Sequence, residues 1–337
     1  MRSIRKMVAA AALAGACCCA WAGPYAPAAV QPGSTAIHMD DANFVTWADG
    51  YTNVVYGTHV YAKWQTPDKA LGKAVGDSFD IVSLGRRGQI TMTFAKPIAD
   101  GSAWDFAVFE NAIADGFLEL GYVEVSSDGV HFFRFDNDSL TQNPVGSFGS
   151  VDPTNVTGLA GKYRQGYGTP FDLSDLDGVS PLLNVKGVTH VRILDVVGDG
   201  NYTDTDGNAI YDPYPTYESA GFDLDAVGVF HNPTPGDADL DGDVDLDDLT
   251  ILGTFYNTGG HTWGQGDFDA DGNVDLDDLT LLGTYYNQGG GPVPPGGPVP
   301  EPATCAVLLL GTCLVLPRRC RSRTGRAGPD QRRATES

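Results

Sequence analysis

YVEVSSDGVHFFRF, residues 122–135, places two β-rich runs on either side of Ser126-Ser127-Asp128-Gly129. Asp-Gly is a strong hairpin turn signal. Working outward, similar short runs lie at 53–61, 89–94, 104–109, 120–125, 189–194 and 224–230. Gly and Pro turns separate them, and no long run of 3.6-residue period interrupts them. Repeated short strands of this kind predict a mainly β fold, a sandwich or jelly roll. The stretch 24–231 holds 208 residues, enough for one sizeable core.

A different pattern follows. DADLDGDVDLDDLTILGTFYN at 237–257 recurs as DFDADGNVDLDDLTLLGTYYN at 267–287, with 16 of 21 positions identical. Each copy sets carboxylates at loop positions one, three, five, nine and twelve, with Gly242 or Gly272 at six. Calcium takes about six to eight oxygens at roughly 2.3–2.6 Å, and a twelve-residue loop can wrap one ion. The expected ligands are Asp237, Asp239, Asp241, Asp245 and Asp248, with the Asp243 carbonyl at position seven. In the second copy they are Asp267, Asp269, Asp271, Asp275 and Asp278, with the Asn273 carbonyl. After each loop, Leu249, Leu252 and Phe255 or Tyr256, and Leu279, Leu282 and Tyr285 or Tyr286, follow helical spacing. Asp247, Asp248, Asp277 and Asp278 fall at the helix N-termini, where the dipole favours acids.

A third loop, Asp204, Asp206, Asn208 and Asp212 with the Ile210 carbonyl, repeats the odd-numbered spacing. It has Pro215 where the twelfth ligand belongs, and its glycine falls at position four. It reads either as a further calcium loop or as an Asx-rich turn. Asp223 and Asp225 alternate on one strand face, which suits water better than a site.

Both ends read as addresses. Arg2, Arg5 and Lys6, an apolar run and Ala20-Trp21-Ala22 predict a signal peptide at 1–22. Leu13 lies four residues before Cys17, one too many for a lipobox. At the other end a Gly/Pro linker at 289–298 leads to Val299-Pro300-Glu301-Pro302, then 14 largely apolar residues at 303–316, then Arg318, Arg319, Arg321 and Arg323. A helix of 14 residues is only about 21 Å long, short of a bilayer crossing. A basic tail fills 324–337.

All six cysteines lie in these two end segments, so the stretch between has no disulfide framework and no cysteine metal site. Between residues 23 and 300 there are 40 Asp and Glu against 11 Lys and Arg, a net charge of −29. That argues against nucleic acid or an anionic membrane as partner. No G-x-S-x-G, H-E-x-x-H, P-loop or cysteine nucleophile is present. Asp105, Glu110, Glu119 and Glu124 are the carboxylates from which a glycosidase pair would come. Trp47, Trp64, Trp104 and Tyr51 are either core or a sugar-stacking platform.

Three resemblances arise from these residues. The paired loop–helix unit at 236–288, with Asp at position twelve, resembles a type I dockerin. This implies a calcium-dependent fold and a cohesin-like partner. Leu246-Asp247 and Leu276-Asp277 stand where cellulosomal dockerins often carry Ser-Thr, a departure that bears on the partner and not on the calcium. Pro300-Glu301-Pro302, the short apolar segment and the arginines, in that order at 299–323, resemble the PEP-CTERM sorting signal. This implies cleavage by an exosortase-type enzyme after transient membrane anchoring through 303–316, as in Gram-negative bacteria. Such tags usually stop at the arginines, and this chain continues to 337. The 122–135 hairpin resembles discoidin-like, galactose-binding jelly rolls. With DFAVFEN at 105–111 and AGFDLDAV at 220–227 it resembles exported bacterial cell-surface proteins of unassigned role.

The expected architecture is therefore a jelly-roll-like β-sandwich at 24–231 followed by a small α-helical dockerin-like module. The expected function is a noncatalytic surface or matrix protein binding calcium and a glycan or small ligand, an extracellular polysaccharide among them. A secreted polysaccharide hydrolase with a dockerin-like appendage is the alternative.

Overall fold

The computed structural model describes residues 23–289. Residues 1–22, expected to be a signal peptide, and everything from 290 onward, with the expected sorting signal at 299–323, lie outside the described residues.

The β-rich runs assemble into two antiparallel sheets. One has the order β1 (Ile37–His38), β11 (Tyr167–Phe171), β6 (Phe106–Glu110), β13 (Asp223–Val229), β2 (Thr46–Trp47), with β4 (Val82–Ser83) also paired to β13. The other runs β3 (Gly50–Val55), β5 (Gln89–Ile98), β12 (Val188–Asp195), β7 (Gly121–Ser126), β8 (Phe133–Arg134). Two short ribbons pair β9 (Asp138–Ser139) with β10 (Val156–Thr157), and β14 (Thr258–Gly259) with β15 (Asn273–Val274).

Alternation along the strands builds the core. Ile90, Met92, Val123, Val125, Val191 and Ile193 come from one sheet, and Phe106, Val108, Leu224, Val227 and Val229 from the other. All eleven belong to a single buried cluster. Phe106 stacks on Phe171 with ring centroids 5.2 Å apart, and Phe135 closes on the same pair. Full burial of each such ring contributes about 1.5–3 kcal/mol.

Three local expectations shift. The Asp-Gly turn forms, but as a longer loop, because the Asp128 carboxylate captures the amides of Val130 and His131, each at 2.8 Å. The second hairpin strand is thereby shortened to Phe133–Arg134, in register with Val125 and Glu124. The 53–61 run is a strand only to Val55. Strand β11 has no counterpart among the expected runs, since its Gly168 and Pro170 read as turn residues. Pro170 is tolerated because β1 pairs only with Tyr167 and Gly168, so at Pro170 the strand has a neighbour on one side only.

The acidic repeats form α1 (Leu246–Phe255) and α2 (Leu276–Tyr285). Each opens with a full capping box, Asp245 with Asp248 and Asp275 with Asp278. The duplication is also spatial. The amide of Asn257 donates to the Val274 carbonyl at 2.7 Å, and that of Asn287 to the Val244 carbonyl at 2.7 Å. Gly236 lies against Leu282, and Gly266 against Leu252. Each half thus completes the other, around Val244, Leu252, Trp263, Phe268, Val274 and Leu282. Among the described residues no helix is long and apolar enough to cross a membrane; the segment 303–316 lies outside them.

Candidate metal centre

The first acidic loop starts at Asp237, which is 3% exposed, and closes at Asp248, which is 1% exposed. Both carboxylates are drawn in by backbone amides. Asp248 Oδ1 accepts from Ala238 N at 2.7 Å and Asp239 N at 3.3 Å, while its Oδ2 accepts from Asp245 N at 2.8 Å. Asp237 Oδ2 accepts from Gly242 N at 3.1 Å. That turn needs Gly242 at φ +102°, a conformation that L side chains rarely adopt.

Oxygens of Asp237, Asp239 and Asp248 lie within 4.8 Å of one another, and so do oxygens of Asp243, Asp245 and Asp248. Asp248 belongs to both sets. Asp237 Oδ1 and Asp243 Oδ1 are buried without a hydrogen-bond partner. Asp243, expected to offer its carbonyl, therefore brings its carboxylate to the cluster as well. Asp241 stands outside both sets: its carboxylate accepts from Asp243 N at 3.0 Å, and Lys186 Nζ donates to its carbonyl.

The second loop is built alike but closes less fully. Oxygens of Asp267, Asp269 and Asp271 converge within 4.8 Å. Asp278 holds Phe268 N at 2.7 Å and Asp275 N at 2.9 Å. Asp275 caps α2 through Asp277 N at 2.9 Å. Asn273 donates its side-chain amide to Asp271 Oδ1 at 3.0 Å. Burial first, and then mainly like charge, push the Asp237 carboxyl up to about 6. Asp239, Asp243, Asp267 and Asp269 are raised for the same first reason. All twelve expected ligands of the two repeats lie in these loops, and eight of them bring a carboxylate oxygen within 4.8 Å of two others. These acidic clusters can hold a metal ion.

The 204–212 loop is arranged differently. Asp204 Oδ1 accepts from the amides of Asp206 (3.1 Å) and Asn208 (2.7 Å), and its Oδ2 from Ser139 N at 3.1 Å. Asn208 Nδ2 adds a bond to Asp204 at 3.0 Å. Asp212 turns away and accepts from Leu120 N at 3.0 Å. The Asp204 and Asp212 carboxylates are thus taken by different backbone amides, and Asp204 acts as a turn staple.

Asp223 and Asp225 do not face water: they are 3% and 1% exposed. Asp225 takes the amides of Val75 (3.0 Å) and Gly76 (2.8 Å). Among the four carboxylates considered for sugar hydrolysis, Asp105 accepts from Gly101 N, Leu173 N and His231, and Glu124 is held by Arg134 and Arg192. Glu110 is 1% exposed and Glu119 6%. The aromatic residues do not gather either. Trp47 packs on Phe44 and Phe109, Trp64 stacks on Phe79, and Tyr51 lies against the sheet core.

One further acidic trio, Asp100, Asp105 and Asp172, brings oxygens within 4.8 Å. No local spacing announces it, because Asp172 arrives from a distant part of the chain. A comparison with protein-family models finds none that matches this chain, and a comparison with curated proteins finds no relative.

Proposed function

We propose that this chain is an exported, noncatalytic cell-surface or extracellular-matrix protein that binds calcium through its two acidic loops. The 236–288 unit is read as a dockerin-like interaction module with a cohesin-like protein as its kind of partner. The two-sheet domain is read as a jelly-roll-like sandwich that binds a glycan or another small ligand. One observation carries the metal assignment: carboxylate oxygens converge in duplicate loops, and a buried Asp237 Oδ1 lacks any partner. An all-oxygen, flexible, many-carboxylate donor set suits a hard cation of calcium's size better than magnesium, which demands tighter octahedral geometry. Calcium would relieve the repulsion that raises these carboxyls and would couple binding to the folding of the unit.

The noncatalytic reading rests on burial. The carboxylates available to a hydrolase are enclosed or already paired, rather than facing one another across an open cleft. Export and surface delivery rest on the two end segments. Calorimetry with the purified chain tests the metal assignment. Calcium should bind at two sites, with magnesium far weaker, and Asp237→Asn plus Asp267→Asn should abolish both. Absence of calcium binding at millimolar concentration would overturn it.

A further inference from the structure

The face of the five-stranded sheet turned away from the main core carries a polar row. Thr52, Thr91, Arg192, Glu124 and Arg134 are paired in register across β3, β5, β12, β7 and β8. Glu124 lies between two guanidiniums. Arg134 Nε and Nη2 donate to its Oε1 at 2.9 and 2.8 Å, and Arg192 Nε donates to its Oε2 at 2.7 Å. Two cations therefore share one carboxylate. Both are also stacked: the Arg134 Cζ lies 4.0 Å from the Tyr122 ring centroid, and the Arg192 Cζ 3.8 Å from that of Phe132. Pairing and stacking on two sides fix planar forks in place.

Beside this row opens a cavity of about 330 Å³, lined by Arg87, Arg134, Tyr122, Tyr202, Asn201 and Thr203 among others. Its far wall is the loop after β12. Tyr122 Oη donates to the Thr203 carbonyl at 2.7 Å, and Ile210 N to the Tyr202 carbonyl at 2.8 Å, so the loop is fastened to the sheet. Arg87 has φ +68°, a strained conformation for a residue with a side chain. The buried Asp195 maintains it: Oδ2 accepts from Arg87 N at 2.9 Å and Oδ1 from Phe222 N at 2.8 Å. Asp195 also lines the cavity. Both its oxygens are engaged by amides and burial pushes its carboxyl up to about 7, which weakens its repulsion of an anion.

The placement runs against the composition. Residues 23–300 contain five arginines in a stretch of net charge −29; two of them, Arg87 and Arg134, line this cavity, and a third, Arg192, shares Glu124 with Arg134. We propose that this cavity binds a carboxylated saccharide, the Arg87 guanidinium and the edge of Arg134 that Glu124 leaves free clasping the uronate and the Tyr202 ring walling the pyranose. Guanidinium forks match carboxylates in two-point geometry, and aromatic walls supply apolar area to a sugar ring. The volume falls within the usual range for small-ligand sites, about 300–1,000 Å³. This deepens the glycan-binding reading given above and rests on it.

The test is calorimetry of the purified chain, in calcium, against a hyaluronan tetrasaccharide and neutral cellotetraose. The expected result is saturable binding of the hyaluronan fragment, at least tenfold tighter than cellotetraose and weakened in 0.5 M NaCl. Arg87→Gln and Arg134→Gln should each raise its Kd at least tenfold, Arg134→Lys should fall between, and Lys96→Gln should change nothing. Arg87 is exposed, so its variant separates ligand loss from misfolding if Arg134→Gln melts early. Equal affinity for cellotetraose, or unchanged binding by both glutamine variants, overturns the uronate site and leaves glycan binding standing. No binding of either sugar overturns the glycan reading itself. The calcium assignment is read separately from the metal titration.

Discussion

The indole Nε1 of Trp263 donates a hydrogen bond to the backbone carbonyl of Asp237 at 2.7 Å. Trp263 belongs to the segment between the repeats and is 3% exposed. It thereby ties that segment to the first residue of the first loop. Trp263→Phe should remove this bond, leave a buried carbonyl without its partner and cost about 1–3 kcal/mol. Calcium titration should show the first loop weakened more than the second. Equal weakening of both, or of neither, would contradict the coupling.

Gly236 and Gly266 hold equivalent places in the two repeats, at φ +107° and +102°. A Cβ added at either would meet the Cα of Leu282 or Leu252 at 3.0 Å. Gly236→Ala and Gly266→Ala should each destabilise the module by about 1–3 kcal/mol through backbone strain. Gly253, inside α1 with open space around it, gives the opposite expectation: Ala there should stabilise by about 0.5–1 kcal/mol. Urea melts followed by Trp263 fluorescence rank the three, and a stabilised Gly236→Ala would refute the packing argument.

Burial is the first cause that raises Asp225 to about 6, Asp195 to about 7 and Asp223 to about 8. In the unfolded chain these groups titrate near 3.9. Between the two values the folded state holds the extra protons, so stability is full at the acid end and is lost as pH rises from about 4 to 8. In chelator, Tm should be higher at pH 5.5 than at pH 7.5 by about 4 °C or more. Asp223→Asn should flatten that slope. A Tm that rises towards pH 7.5 would show that these carboxylates do not govern it.

Asp248 and Asp278 each close a loop and cap a helix at once. Asp248→Ala should cost about 1–2 kcal/mol as a lost cap, over and above its effect on metal affinity. The two losses separate when helical circular dichroism is compared in chelator and in calcium. A variant indistinguishable from the parent in chelator would show that the cap contributes nothing.

The arrangement at 299–323 leads to an expectation for the mature protein. Mass spectrometry of surface-released chain should find no peptide from 305–337. Recovery of that C-terminus would rule out processing at the sorting signal.

Local sequence was enough for the elements whose physics is local. The duplicated Asp and Gly positions specify turn, cap and helix within about twenty residues, and the loops at 237–248 and 267–278 formed where the spacing placed them. The same holds for most strands, because short β-branched and aromatic runs bounded by turn residues are written along the chain itself. Contacts between distant residues were not readable. Pro170 hid β11, since only the short partner β1 leaves its missing donor without consequence. The burial of Asp223 and Asp225 is not legible in the sequence, because alternation marks a face but not what packs over it. Asp204 and Asp212 share a metal-like spacing, yet the backbone amides of Ser139 and Leu120 claim them separately. Arg87, Arg134 and Arg192 belong to three separate stretches of sequence. Strand register sets Arg134 and Arg192 on either side of one carboxylate, and a buried aspartate turns Arg87 towards the same cavity. Sequence determined the repeats and the strands, because hydrogen bonding and burial there depend on near neighbours. Tertiary structure alone decided which charges meet, because that depends on which strands pair and on which amides reach each carboxylate first.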